Sequence, residues 1–491
     1  MQLWIAVYLP RLALDALHPP WPLDATACAV VEHECVMALT PDAARHGIKP
    51  GMRRAGASAL APHAILLDRN VAAEQATLEG AALALLQYTP EVALGGPDSL
   101  LMNVGASLRV FGGPRALARR VDATLRALQL QARLGMACTA GGAWLLASRP
   151  DAPVSRTGPR HALALPRLAR RLDALPCALL PQARPYLDWL HGIGCRQLGM
   201  LRRLPRAGLQ RRCGPALLKV LDAAYGHAPE VHAWVVAPLR FQRRFELIER
   251  IEHTDAVLAV ARKLVEQMSG WLMARQRAVP RLRLLLEHER GRHACAPTPL
   301  ELTLAEPAWQ PAHLLGLLRE RLGRMTLQAP VVAVVLDAPD TVPQPAANTT
   351  LFPEPGQAVV ERARLLDLLT ARLGADRVLR PHPAADHRPE VANRWTGVHD
   401  KTPGAEPMPE LDRPFWLLSP PQPLKVRRDQ PVYGTPLTLV RGPERIESGW
   451  WDEAAAVRDY FVAEDAGAAR YWIYRERGAA DPRWYLHGLY A

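Results

Sequence analysis

What this 491-residue chain has little of is the first guide to it. Lysine is scarce. Only Lys49, Lys219, Lys263, Lys401 and Lys425 stand among 60 basic residues, so the positive charge is almost all arginine. Cysteine occurs seven times, at 28, 35, 138, 177, 195, 213 and 295, without one C-x-x-C pair. That spacing argues against a zinc ribbon or a disulfide framework and for small buried thiols in a reducing compartment. No apolar run approaches the ~18 residues of a membrane span, and the N-terminus lacks the charged region and cleavage site of an export signal. The expectation is a soluble, cytoplasmic protein with no membrane partner. Aromatic residues are thin too, 29 in all, yet 13 of them fall in the last 79 positions. No internal repeat is visible.

Charge is present, and unevenly spread. The formal net charge is +12, and between Arg160 and Arg292 there are 24 Lys and Arg against 11 Asp and Glu, which leaves the remainder close to neutral. A GC-rich genome would favour alanine and arginine anyway, so the weight rests on the clustering. Clustered guanidinium forks suit phosphate, and nucleic acid fits better than membrane headgroups.

The length calls for roughly three to five modules. Leu3 to Tyr8 is a short apolar run ended by Pro10, the mark of a buried strand. A helix is predicted over 73–88, strands near 92–95 and 100–104 around an Asp98 turn, and a helix from Pro114 with Leu117, Val121, Leu125 and Leu128 on one face. A strand at 134–139 and a helix at 142–148 complete a ferredoxin-like order with a long insert after the first strand. Residues 165–236 read as helical and basic. Strands near 240–248, 281–288, 300–305 and 331–337 with helices at 255–277 and 311–325 read as a second α+β module. The tail is expected to be compact and β-rich, with Trp450, Trp451, Trp472 and Trp484 in its core.

Several segments, in order, resemble Y-family (translesion) DNA polymerases. They are Leu3 to Leu17, Thr40 to Ile48 with Pro50 to Met52, Tyr88 to Val104 with Phe111 to Gly113, Gly135 to Ser148, and Leu190 to Gly194. The chain is still more similar to the ImuB proteins of bacteria, polymerase-like partners in damage-induced mutagenesis. Gly442 to Trp451, Arg458 to Tyr460 and Trp484 to Tyr490 carry much of that likeness. The resemblance implies an α+β multidomain right hand: palm-like 1–17 and 77–160, fingers-like 18–76, thumb-like 161–238 with a helix-hairpin-helix, and little-finger-like 239–338. It further implies a linker at 339–380 with a clamp-binding peptide and a short helix, a mobile linker at 381–414, and a partner-docking domain at 415–491.

Polymerase chemistry needs two metal ions about 3.5–4 Å apart, held by carboxylates. The family's three acid positions match Tyr8, Asp98 and Ser99, so one acid of three remains. An ordinary strand tyrosine and a Pro-Asp-Ser turn account for Tyr8 and Asp98 equally well. The triphosphate-contacting Tyr and Arg match Pro41 and Ala44, with Arg45 next door, and the bulky aromatic that excludes ribonucleotides matches Leu12 or Ala13. The expectation is an inactive nucleotidyltransferase homologue with no metal and no cofactor. The alternative is an active polymerase that uses a displaced acid such as Glu91.

For DNA, the candidates are Gly192 and Gly194 of a hairpin whose backbone amides could approach phosphate, and Arg196 beside them. A plain helix–helix turn would carry the same glycines. Arg202, Arg203, Arg206, Arg211 and Arg212 follow in the next two helices. Arg281 and Arg283 alternate with Leu282, Leu284 and Leu286, and Arg243 and Arg244 lie on another strand of that module. Such contacts are blind to sequence. Asn348-Thr-Thr-Leu351-Phe352 resembles the sliding-clamp peptide Q-x-x-L-F, with Asn348 in place of Gln and Leu351 and Phe352 as pocket anchors. The same Leu-Phe pair could dock on the chain's own core. The family likeness implies a nucleoid-associated hub that joins DNA, the bacterial sliding clamp, an error-prone replicative-type polymerase and a RecA-like accessory protein.

Overall fold

The computed structural model describes residues 2–17, 26–150, 160–289, 295–344, 355–398, 400, 411–451, 455–477 and 483–490, the side chains of 248, 249 and 355–360 excepted. The chain divides into two units, Met1–Arg372 and Leu373–Ala491. Among the described residues no helix is long and apolar enough to cross a membrane.

The first unit opens with β1 (Trp4–Tyr8), paired on both edges and covered on both faces. After α1 (Leu12–Asp15) comes a three-stranded insert of β2 (Cys28–Glu32), β3 (Cys35–Leu39), α2 (Pro41–Arg45), α3 (Arg54–Leu60) and β4 (Ile65–Asp68), ordered β3-β2-β4. Thr40 caps α2 by accepting from the Ala43 amide at 3.3 Å, and Pro41 starts the helix where no amide is needed. There follow α4 (Val71–Leu85), capped by Asn70, then β5 (Val92–Gly96), β6 (Ser99–Asn103), α5 (Pro114–Ala127), β7 (Arg133–Ala137), α6 (Ala140–Ser148) and β8 (His161–Ala162). The first sheet runs β5-β6-β1-β7-β8. Its β-α-β-β-α-β path, with β1 between β6 and β7, is a ferredoxin-like order. The strand pleat sorts β1: Ile5 and Val7 pack with α4 and α5, while Trp4, Ala6 and Tyr8 face α6 and the helices beyond it.

Those helices are α7 (Leu165–Asp173), α8 (Leu187–Gly192), α9 (Leu198–Arg203) and α10 (Arg206–Tyr225), the last kinked at Gly214-Pro215. Leu168, Leu172, Leu190, Leu198 and Leu217 seal them onto α6. The connection that follows is stitched to the first sheet. Glu230 accepts from the Ala140 and Gly141 amides at 2.8 and 2.7 Å, Trp234 stacks on Trp4, and the Val235 amide donates to Val92 O at 2.7 Å. Pro238 O then accepts from the Trp271 indole at 2.7 Å.

The second sheet module is β9 (Phe241–Ile251), α11 (Thr254–Ala274), β10 (Arg277–His288), β11 (Thr298–Ala308), α12 (Pro311–Leu322), β12 (Val331–Ala338) and β13 (Val342–Pro343). Its main order is β11-β10-β12-β9, all antiparallel, with α11 and α12 on one face over Leu282, Leu284, Leu286, Val334 and Leu336. At Gly270 of α11 a Cβ would lie 2.1 Å from Leu83 O, so α11 and α4 touch backbone to backbone. The linker expected over 339–380 is more structured than its sequence suggests. It holds α13 (Pro355–Leu373), whose buried Asp367 accepts from the Ala305 amide at 2.7 Å. That carboxylate docks the helix on β11, a tie that composition does not show.

The second unit is a β structure. A hairpin of β14 (Leu379–Pro383) and β15 (Asn393–Gly397) precedes β16 (Trp416–Arg427), β17 (Gln430–Tyr433), β18 (Thr435–Pro436), β19 (Thr438–Ser448), β20 (Ala456–Glu464), β21 (Arg470–Glu476) and β22 (Trp484–Leu489). The sheet order is β18-β17-β16-β22-β21-β20-β19. The hairpin gives regular structure to the first part of the linker expected over 381–414, of which residues 399 and 401–410 lie outside the described residues. Its turn is set by Asp386, which takes the Arg388 amide and guanidinium at 2.8 Å each. Trp472 and Trp484 are core, as expected, but Trp450 and Trp451 are 82% and 57% exposed. They follow the end of β19, where the Arg388 guanidinium lies 5.9 Å from the Trp451 ring centre.

Candidate functional site

The three positions matched to polymerase acids gather at one end of the first sheet. Tyr8 ends β1, directly opposite Ser99 on β6 and Arg133 on β7. Asp98 occupies the β5–β6 turn, where its carbonyl accepts from the Leu9 amide at 2.9 Å. Ser99 is fully buried, and its hydroxyl receives the Trp144 indole N–H at 3.0 Å. Burial pushes the Asp98 carboxyl above its ordinary range, opposed by hydrogen bonds from its own amide and from Ser99 and by the nearby charge of Arg184. Burial, then the Asp98 charge, likewise raises the Tyr8 phenol, with Arg133 and Arg184 pulling the other way.

The donor set does not fit a pair of magnesium ions. It offers one half-buried carboxylate, a phenol kept protonated and an alcohol already bonded to an indole, with two guanidiniums in electrostatic reach. Among the described residues no group of three or more His, Cys, Asp or Glu is placed to hold a metal ion. Glu91 cannot substitute. Its carboxylate takes the Asn103 amide at 2.6 Å, and Asn103 lies four strand positions from Ser99, about 13 Å along the sheet.

Sequence reasoning missed Trp144, Arg133 and Arg184. Arg133 was detectable, as a charge in register with Tyr8 at the head of an otherwise apolar strand. Trp144 and Arg184 arrive from α6 and from the short helical turns before α8, and no local pattern links them to the turn. In the insert, Arg45 is exposed and lies 3.4 Å from Asp42 of its own helix, while Leu12 and Ala13 are buried.

The hairpin at Gly192 and Gly194 joins α8 to α9, and residues 191–194 are all exposed. Gly194 has φ +78°, a conformation that a side chain would strain. The amides of Ile193, Gly194 and Cys195 donate back to Trp189, His191 and Leu190 at 3.1, 2.9 and 2.7 Å. They close the helix end, so these amides are already engaged, while Arg196 beside them is exposed. Around it, residues 161–238 hold 11 Arg and Lys against 4 Asp and Glu.

The second sheet needs a correction. Arg243 and Arg244 are sequence neighbours on a strand and so point to opposite faces. Arg244 shares the open face with Arg281 and Arg283. Arg243 sits on the helix side, 3.8 Å from Glu79. The open face is also not a bare cationic surface. Arg244 pairs with Glu246 and Glu287 at 3.1 and 3.0 Å, Arg281 with Asp340 at 2.7 Å, and Arg283 with Asp337 at 2.9 Å. Asn348, Leu351 and Phe352 lie outside the described residues.

Comparison with known proteins bears on what this arrangement belongs to. The model of the impB/mucB/samB family matches residues 16–148. Among solved structures, a Y-family DNA polymerase chimera aligns at a TM-score of 0.36 and 16% identity, over 68% of this chain and 98% of that one. Two curated relatives, both named Protein ImuB and from two strains of Caulobacter vibrioides, are 29% identical over 470 residues. That alignment spans 90% of this chain and the whole of each relative. The likeness to the ImuB proteins thus runs along nearly the whole chain, from the first sheet into the aromatic tail.

Proposed function

We propose that this protein is a non-catalytic, DNA-binding scaffold for error-prone bypass of damaged DNA. In this reading residues 1–17 and 77–160 act as a palm, 18–76 as fingers, 161–238 as a thumb and 239–338 as a little finger. Residues around Asn348, Leu351 and Phe352 bind the bacterial sliding clamp. The second unit docks an error-prone replicative-type polymerase and a RecA-like accessory protein, in the cytoplasm at the nucleoid.

One observation carries the loss of catalysis. The buried Ser99 hydroxyl stands where the second turn acid is needed, and it is held by Trp144 at 3.0 Å. A single carboxylate cannot cage two dications against their hydration. Hand-like modules would then serve to grip primer–template while another enzyme extends it. The basic excess in the helical module favours DNA as the bound polymer.

Primer extension with Mg²⁺ or Mn²⁺ tests the catalytic half: no incorporation above an Asp98→Ala control is expected. Robust synthesis that Asp98→Ala removes would overturn it. Gel-filtration with purified clamp tests the peptide. Leu351→Ala with Phe352→Ala should abolish co-elution and leave DNA affinity intact, whereas retained co-elution sinks the assignment.

A further inference from the structure

We infer that the first unit carries a separate ligand site, a cavity of about 520 Å³ beside the α4–α11 contact that takes a small anion borne on an apolar body, such as an alkyl carboxylate. It lies on the α4 and α5 side of the first sheet, away from the face that Tyr8 shares with α6.

The cavity follows from packing. Gly270 draws α11 onto α4 so closely that no side chain fits between them. Toward the start of α4 the wall is Ala72, Ala73 and Ala76, side chains too short to fill the space that opens. Leu130 and Phe245 add apolar wall beside the polar side chains of Asn70, Arg243, Arg244, Glu246 and Gln267.

Lys263 differs from the other charged groups of the lining. It lines this cavity from α11 although only 6% of its surface is exposed. Among the described residues its ammonium has no ion-pair partner within 4.0 Å and no hydrogen bond, only the Phe245 ring with its centroid 5.2 Å away. The other cations lining the cavity are already engaged, Arg243 by Glu79 and Arg244 by Glu246 and Glu287. Burial lowers the Lys263 ammonium only to about 8, with Asp15 on α1 opposing the shift, so it is charged at neutral pH. A buried cation without an acceptor is costly, and a cation–π contact offsets only part of that. An oxyanion between Lys263 and the capped N-terminus of α4 would satisfy the charge with the dipole in its favour. The Gln267 amide lines the same space.

Calorimetric titration of the full chain with decanoate, 1-decanol and acetate tests the inference. One decanoate site is expected, with the headless alcohol and the tailless acid each at least about tenfold weaker, the worth of a charge-assisted hydrogen bond. Lys263→Met should weaken decanoate by a similar factor, and Ala76→Phe should abolish binding by filling the space, both with unchanged DNA affinity. Decanol as tight as decanoate, acetate sufficient alone, or full binding by either variant would overturn the proposal. Should Ala76→Phe fail to fold, the native chain still decides. Decanoate should slow acylation of Lys263 relative to the other four lysines by mass spectrometry, and equal labelling with and without it counts against the site.

Discussion

Ser99 carries more of the functional reading than its size suggests. Its hydroxyl is buried and bonded to an indole, so it is a structural group where an acid would be a chemical one. Trp144→Phe should remove that bond at a cost of about 1 kcal/mol in urea unfolding, and Ser99→Ala should cost the same. The double variant should add little, because each change breaks the same hydrogen bond. Glu266, on α11, offers a pH test. Burial lifts its carboxyl from 4.5 to about 7, against Arg262. The folded state therefore holds its proton more tightly than the unfolded chain. Its stabilising contribution is complete below pH about 4.5 and is lost as pH rises through about 7. Glu266→Gln should raise the unfolding free energy at pH 8 more than at pH 5, by on the order of 1 kcal/mol once solvent screening is allowed for. An equal gain at both would show that the side chain titrates normally.

At the scale of elements, the hairpin separates structural glycine from binding glycine. A Cβ on Gly192 meets nothing within 4 Å, whereas Gly194 has φ +78°. Gly194→Ala should cost about 1 kcal/mol of stability. Gly192→Val should leave stability nearly unchanged and weaken DNA binding if phosphate approaches there; equal DNA affinity would remove the hairpin from the interface. Most elements were legible because their signals are local: Pro114 at the head of α5, the Leu alternation of β10, the apolar β1. The cradle was legible only in part. Tyr8, Asp98 and Ser99 could be placed by resemblance, but their partners come from β7, α6 and the turns before α8, and no periodicity reports such a meeting. Alternation along β9 separates Arg243 from Arg244, so of the two only Arg244 joins the open face. The hairpin β14–β15 stayed hidden because proline, histidine and charge mask a register set by Asp386.

For the whole molecule, charge is distributed by module. Residues 239–338 hold 15 Arg and Lys against 11 Asp and Glu, and the open-face arginines are already paired with acids, so the helical module is expected to dominate DNA affinity. Replacing Arg196, Arg203 and Arg211 by alanine should lower the salt slope of duplex binding by about 0.9 for each phosphate no longer neutralised. Arg281→Ala with Arg283→Ala should lower it less, and Asp337→Asn should strengthen binding by freeing Arg283. A larger effect from the sheet pair would reverse the ranking. The stitched stretch from Glu230 to Pro238 has a mechanical corollary. A tether clipped to a sheet edge at one end and to an indole at the other leaves little play, so the two halves it joins should swing as a single jaw. If the protein grips DNA as proposed, adjustment to a distorted duplex is expected to come from the duplex.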